Sequence, residues 1–317
     1  MNITVLDGHT LNPGDNPWDD IAKLGALTVH DRTPADEIVP RAAGSEIILT
    51  NKTPLTATTL ARLPKLRFVS VLATGYNIVD TAAARERGVL VANVPEYGTD
   101  TVAQHVFALL LELCHRVGRH DQSVKRGDWS RSADFCYWLA PQIELRGKTL
   151  AVIGYGRIGR RVAELGRAFG MNIIRLRRAA GADADGARAV DLAELQREAD
   201  VITLHCPLTA DNAGFVNKAF LAGLKPTAFL INTGRGALVN ERDLADALRE
   251  GVIAGAAVDV LAQEPPPPGH PLVSEPRCVL TPHIAWSGLQ ARRALMTATR
   301  DNIAAFLTGA PRNIVNG

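Results

Sequence analysis

Three polar side chains in the C-terminal half of the chain, Arg235, Glu264 and His283, have the types and settings of reactive groups. Arg235 lies in Ile231-Asn-Thr-Gly-Arg-Gly-Ala237, Glu264 in Val258-Asp-Val-Leu-Ala-Gln-Glu-Pro265, and His283 in Leu280-Thr-Pro-His-Ile-Ala-Trp286, each just past an apolar run. A planar guanidinium can take a carboxylate in two parallel charge-assisted bonds. Imidazole can give or take a proton near neutral pH. An acid beside the imidazole holds it and favours its charged form. The set therefore suits proton transfer at a substrate that carries a carboxylate.

A second motif supplies the other half of the chemistry. Leu150-Ala-Val-Ile-Gly-Tyr-Gly-Arg-Ile-Gly159 is an apolar strand running into GxGxxG and then a helical stretch over residues 157–169. In that context Gly154 permits the tight turn, Gly156 lets backbone approach a pyrophosphate, and Gly159 lets helix and strand pack closely. The amides of Arg157 and Ile158 are expected to face the phosphates. An NAD site usually carries Asp or Glu about twenty residues further on, for the ribose 2′-OH. Here the next strand reads Met171-Asn-Ile-Ile-Arg-Leu-Arg-Arg178, with no acid at its end. Arg177 falls near the acid's place and Arg178 follows, a pair suited to a 2′-phosphate. NADP(H) is therefore the predicted preference, with NAD(H) use left open because Asp183 or Asp185 could reach a ribose instead. Dinucleotide and reactive set together point to hydride exchange with a 2-keto or 2-hydroxy acid.

The elements that must position these groups are those of an α/β protein. Strand-like runs at residues 3–6, 47–50, 68–71 and 89–93 form one series, with a short helix over 81–87 ended by Gly88. A second series falls at 149–153, 172–176, 201–205, 228–232, 255–260 and 278–281. Two long helical stretches, 101–117 (Val102, Val106, Leu109, Leu110, Leu113, Val117) and 289–307, carry the chain between lobes. The predicted fold is two Rossmann-like, doubly wound parallel-sheet domains with the active site in the cleft between them. Residues 1–100 plus 289–317 would form a flavodoxin-like substrate-binding domain, and 101–288 the dinucleotide-binding domain. Residues near 120–147, with Trp129, Phe135, Tyr137 and Trp138, fit neither series; packing on a second subunit and a surface loop with its own small core are both open.

Composition narrows the class. The chain has 317 residues, 46% hydrophobic and 21% charged, with net charge +2, so neither nucleic acid nor an anionic membrane is indicated as a partner. Cys114, Cys136, Cys206 and Cys278 are scattered without metal-ligand spacing, which favours free thiols in a reducing cytosol and no metal. No apolar run approaches a membrane span, and residues 3–6 begin a strand without a basic leader, so a cytoplasmic location is expected.

In order and spacing, the GxGxxG, Asn232-Thr-Gly-Arg-Gly236, Asp259 with Glu264-Pro265, and Thr281-Pro-His283 resemble the D-isomer-specific 2-hydroxyacid dehydrogenases over nearly the whole chain. Leu6-Asp-Gly-His-Thr-Leu-Asn-Pro-Gly14, Leu72-Ala-Thr-Gly-Tyr-Asn77 and Val94-Pro-Glu-Tyr-Gly-Thr99 are similar to the glycerate dehydrogenase (hydroxypyruvate reductase) branch. The resemblance implies that Arg235 clamps the substrate, that His283 passes the proton to the keto oxygen, and that Glu264 holds His283. It also implies cofactor contacts from Thr233 and Asp259, the latter at the nicotinamide carboxamide, and substrate contacts from Thr74, Gly75 and Trp286. A homodimer is expected, with Trp138 a candidate to reach a partner's pocket. The sequence departs from the family in the missing cofactor acid and in Gln104, where many relatives carry Glu. A bulkier 2-keto acid as substrate, or a non-catalytic dinucleotide-sensing role on the same fold, are the competing expectations.

Overall fold

The computed structural model describes residues 1–177 and 185–317. These divide into two compact units, Met1–Gly98 with Trp286–Gly317, and Thr99–Ala285. Trp286, grouped in sequence with the His283 stretch, belongs to the first unit, where its ring meets Tyr97 edge-on at 6.4 Å between centroids.

The first unit holds β1 (Asn2–Val5), β2 (Ala26–Val29), β3 (Ile47–Thr50), β4 (Phe68–Val71) and β5 (Leu90–Ala92), all parallel, in the order β2-β1-β3-β4-β5. Side chains alternate between faces along each strand. Ile3, Val5, Leu49 and Phe68 thus face the helix Leu289–Leu307 through Leu295, Met296 and Ile303, while Ile48, Val69 and Val91 pack with Leu60 and Leu63 on the other side. Apolar residues on both faces make these strands near-continuous hydrophobic runs. β2, an edge strand with mostly exposed residues, lacks that signature and was not expected from sequence. The C-terminal tail completes the unit. Phe306 stacks on Phe68 at 4.6 Å, Ile314 bridges Ala92, and the Asn316 side chain bonds both Val91 N and Val89 O at 2.8 Å.

The second unit holds β6 (Thr149–Ile153), β7 (Asn172–Leu176), β8 (Arg188–Val190), β9 (Val201–Leu204), β10 (Phe229–Asn232), β11 (Gly255–Val258) and β12 (Cys278–Leu280). They run parallel in the order β12-β11-β10-β9-β6-β7-β8, so the winding reverses between β6 and β9. Ligands of such sheets bind beyond the carboxyl ends of the strands at that switch. The short β8, next to the stretch outside the described residues, was not expected from sequence.

The helix Thr99–His115 lays Val106, Leu110 and Leu113 against Val152, Val162 and Ile173. It does not extend to Val117 as its periodicity suggests. Arg116 turns left-handed at φ 50°, and Val117 opens a second helix, Val117–Lys125, with its own side chain exposed. Beyond it Trp129, Phe135 and Trp138 stand 52%, 89% and 68% exposed.

Candidate active site

The cofactor cradle starts at the end of β6. Gly154 has φ 97°, and a Cβ there would sit 2.3 Å from the Cys206 amide nitrogen. A Cβ on Gly159 would lie 2.2 Å from Gly154 O, so helix and turn touch through bare backbone. At Gly156, by contrast, a Cβ would meet nothing within 4 Å. Gly156 is the N-cap of the helix Arg157–Ala168 and has no side chain to cap it. The first intrahelical bond, Arg160 N to Gly156 O, comes only at 2.9 Å after the opening turn. Open space over first-turn amides suits a pyrophosphate.

Arg177 follows β7 directly, and its Nη2 donates to Ala189 O at 2.9 Å, which fixes the guanidinium at that strand end. Arg160 and Arg175 lie over the Tyr155 ring at 5.4 and 5.7 Å. Asp185, the acid left open for a ribose, is in an ion pair with Arg160. Arg178 and Asp183 lie outside the described residues.

Arg235 follows β10 in a turn held by Asn232, whose part in the turn is not evident from its motif. Fully buried, Asn232 donates Nδ2 to Arg235 O at 2.9 Å and accepts Gly234 N at 3.0 Å. The Arg235 side chain is exposed, Nη1 donates to Gly234 O at 2.8 Å, and no acid forms an ion pair with it among the described residues. Gly236 presses on the next segment: a Cβ there would be 1.9 Å from Leu261 C. The Arg235 turn and the segment leading to Glu264 are thereby in backbone contact. Thr233 Oγ1 is buried without a hydrogen-bond partner among the described residues, as a donor awaiting a ligand would be.

Glu264 Oε2 lies 2.6 Å from His283 Nδ1, while its Oε1 accepts Leu261 N at 2.9 Å. The same segment is held from behind. Glu241 accepts Ala262 N at 2.7 Å and pairs with His270 Nε2 at 3.0 Å. His283 itself is left-handed, φ 53°, uncommon for a residue with a side chain. Its N–H donates to Asp259 O at 2.8 Å.

Asp259, expected beside the nicotinamide, is buried, and its carboxylate serves the His283 turn. Oδ1 accepts Thr281 Oγ1 at 2.6 Å and Ile284 N at 2.9 Å, and Oδ2 accepts Ala285 N at 2.8 Å. Burial opposes its ionisation, but the bonds from His105, Thr281, Ala285 and Ile284 outweigh this and hold the carboxyl below the ordinary value. His105, from the helix Thr99–His115, is a member of this network that the sequence did not single out.

Of the residues expected to touch substrate from the first unit, Thr74 sits just past β4, with Oγ1 donating to Val94 O at 2.9 Å and its carbonyl taking Asn93 Nδ2 at 2.7 Å. Gly75 follows in the same turn. Among the described residues no cluster of three His, Cys, Asp or Glu could hold a metal.

The parallel order around β6, the glycine cradle at its end and the His–Glu pair past β11 and β12 define a dinucleotide-dependent dehydrogenase of the α/β class. The chain belongs to the D-isomer-specific 2-hydroxyacid dehydrogenases: residues 107–285 match the family's NAD-binding domain, and relatives match along most or all of the chain. It is 43% identical to a hydroxypyruvate reductase of Blautia hydrogenotrophica, with all of both chains covered. It is 42% identical to a glycerate dehydrogenase of Methylorubrum extorquens over 88% of each chain. A solved NADPH-dependent glyoxylate/hydroxypyruvate reductase of Sinorhizobium meliloti, in complex with NADP and malonate, is 30% identical, with a TM-score of 0.84 over 99% of this chain and 96% of that one.

Proposed function

We propose that the protein interconverts a small 2-keto acid, of the hydroxypyruvate or glyoxylate type, and the corresponding D-2-hydroxy acid. The observation that carries this is the 2.6 Å pairing of His283 Nδ1 with Glu264, which leaves the other ring nitrogen, Nε2, for a substrate oxygen. The nicotinamide cofactor, when bound, supplies or accepts the hydride at the substrate's C2. In reduction His283 Nε2 gives its proton to the keto oxygen, and in oxidation it recovers one from the hydroxyl. Glu264 stabilises the imidazolium, and Arg235 holds the carboxylate with its planar fork. Thr74, Gly75 and Trp286 are retained as proposed substrate contacts, and Gly154, Gly156, Arg157, Ile158, Gly159, Thr233 and Asp259 as proposed cofactor contacts. The enclosure of the Asp259 carboxylate gives that residue a structural task as well.

For the cofactor we propose a preference for NADP(H). Support comes from Arg177 anchored at the end of β7 and from the engagement of Asp185 by Arg160, which leaves the strand end basic. A homodimer formed through the exposed Trp129, Phe135 and Trp138 surface is the proposed assembly, read out by light scattering on wild type and Phe135→Asp. A cytoplasmic location is proposed from the free cysteines; no helix of the described residues is long and apolar enough to cross a membrane.

The test is the initial rate on hydroxypyruvate and glyoxylate with NADPH and NADH side by side. Turnover with NADPH preferred is the expected result. NADH preference would remove the arginine argument alone. Cofactor binding without turnover of any small 2-keto acid would overturn the proposed activity in favour of a dinucleotide sensor.

A further inference from the structure

We propose that His105 is a positioning residue for the reactive set, acting through Thr281 and Asp259 on the turn that presents His283; the proposal takes the His283 chemistry above as its basis. His105 lies on the helix Thr99–His115 beside the buried Ala103, Val106 and Phe107. Its side chain is 19% exposed, with Nε2 3.2 Å from Thr281 Oγ1 and 3.5 Å from Asp259 Oδ1.

The direction of these bonds follows from proton count. Asp259 is held ionised and can only accept, so the single hydroxyl proton of Thr281 goes to its Oδ1, 2.6 Å away. The Thr281 oxygen must then accept from His105, which places a proton on His105 Nε2. A donor is therefore built into the helix at the point where Thr281 and Asp259 meet, and an apolar side chain there would leave the Thr281 oxygen without it and weaken the Thr281–Asp259 pair.

What this junction holds is the whole reactive set. The carboxylate of Asp259 gathers the amides of Ile284 and Ala285, and its carbonyl takes the amide of the left-handed His283. The Asp259 amide in turn donates to Asn232 O at 2.9 Å, and the Asn232 side chain closes the Arg235 turn. One buried strand-end pair, Asp259 with Asn232, thus joins the two loops that carry His283 and Arg235. His105 ties this pair to the long helix that packs across the sheet. Because catalytic geometry is sensitive to displacements of about 1 Å, with losses near 10²-fold, loosening the junction acts on turnover more than on affinity.

The experiment compares wild type with His105→Leu, His105→Gln and Thr281→Val. Glutamine places an amide donor near the position of Nε2; leucine supplies none. In the cofactor-free protein, the downfield NMR signal of the His283 Nδ1 proton on Glu264 is expected in wild type and His105→Gln and broadened or lost in His105→Leu. With hydroxypyruvate and NADPH, kcat is expected to fall roughly 10- to 100-fold in His105→Leu, with KM and cofactor Kd within about threefold and most of the loss recovered in His105→Gln. Thr281→Val is expected to reproduce the loss without adding to it in the double variant, as residues of one network do. A His105→Leu protein that keeps both the signal and kcat overturns the proposal, as does a loss confined to cofactor affinity. If His105→Leu fails to fold, Thr281→Val with unchanged signal and kcat overturns it equally. Wild type without turnover on any 2-keto acid, but with the expected NMR pattern, would sink the proposed activity and leave the positioning role standing.

Discussion

The two oxygens of Glu264 divide their work: Oε2 faces His283 Nδ1 at 2.6 Å, and Oε1 accepts the Leu261 amide at 2.9 Å. The carboxylate is thereby oriented by its own loop before it meets the imidazole. Nδ1 is the ring nitrogen taken by the carboxylate, which leaves Nε2 for the proposed substrate contact.

Removing the imidazole should therefore cost proton transfer and little else. His283→Gln is expected to lower kcat by roughly 10²- to 10⁴-fold, the usual span for a lost acid–base group. Cofactor affinity, followed by NADPH fluorescence, should change little. Undiminished turnover would end the assigned role.

Glu264→Gln keeps an acceptor oxygen and removes the charge. The ring then loses the negative partner that lies 2.6 Å from Nδ1. A bond to a charged group contributes about 1.5–3 kcal/mol, so kcat should fall roughly 10- to 100-fold. Steady-state rates in both directions check this, and an unchanged kcat would mean that the charge on Glu264 is not needed.

Arg235→Lys preserves charge but not the planar fork. A bond to a charged group contributes about 1.5–3 kcal/mol, so kcat/KM for the keto acid should drop roughly 10- to 100-fold. Steady-state kinetics that show lysine and arginine to be equivalent would remove the bidentate argument.

Gly236→Ala tests whether the Arg235 and Glu264 segments must touch. The added methyl carbon would fall 1.9 Å from Leu261 C and must push one backbone away. We expect a less stable protein, with activity lost well below its melting temperature. A fully active Gly236→Ala enzyme would show that the contact is slack.

Stability should also depend on His205, which accompanies Thr203 at the end of β9 with Nε2 2.8 Å from its hydroxyl. Burial pushes His205 down from 6.5 to about 4. Between those values an unfolded chain binds a proton that the folded one refuses, so folding stability falls as pH drops through that window. The loss is on the order of 3 kcal/mol once pH reaches the lower value. Thermal midpoints measured from pH 7 to 4.5 should fall for wild type and flatten for His205→Asn; parallel curves would exclude the residue as the source.

Much of this arrangement was legible because glycine and proline punctuate it. Gly154, Gly156 and Gly159 announce a strand–turn–helix, and apolar runs with residues on both faces announce parallel strands. Elements without such marks were missed. β2 exposes most of its residues, β8 is three residues long, and the break after His115 is made by Arg116 rather than by a glycine. His105 was invisible for another reason. Its partner Thr281 lies 176 residues away, and a histidine among apolar helix residues gives no local sign of what it meets. Asn232 was in view within its motif, yet its bonds to Gly234 and Arg235 depend on a turn that only the folded backbone defines.

The first unit draws its core from both ends of the chain: Leu295, Met296 and Ile303 cover Ile3, Leu49 and Phe68, and Arg292 grips Asp15 and the Leu11 carbonyl. During synthesis from the N-terminus, its five strands are made first and must wait for residues 286–317 before one face of their sheet is covered. The second unit, continuous in sequence, can close while they wait. The strands of the first unit are thus made before the second unit and enclosed after it.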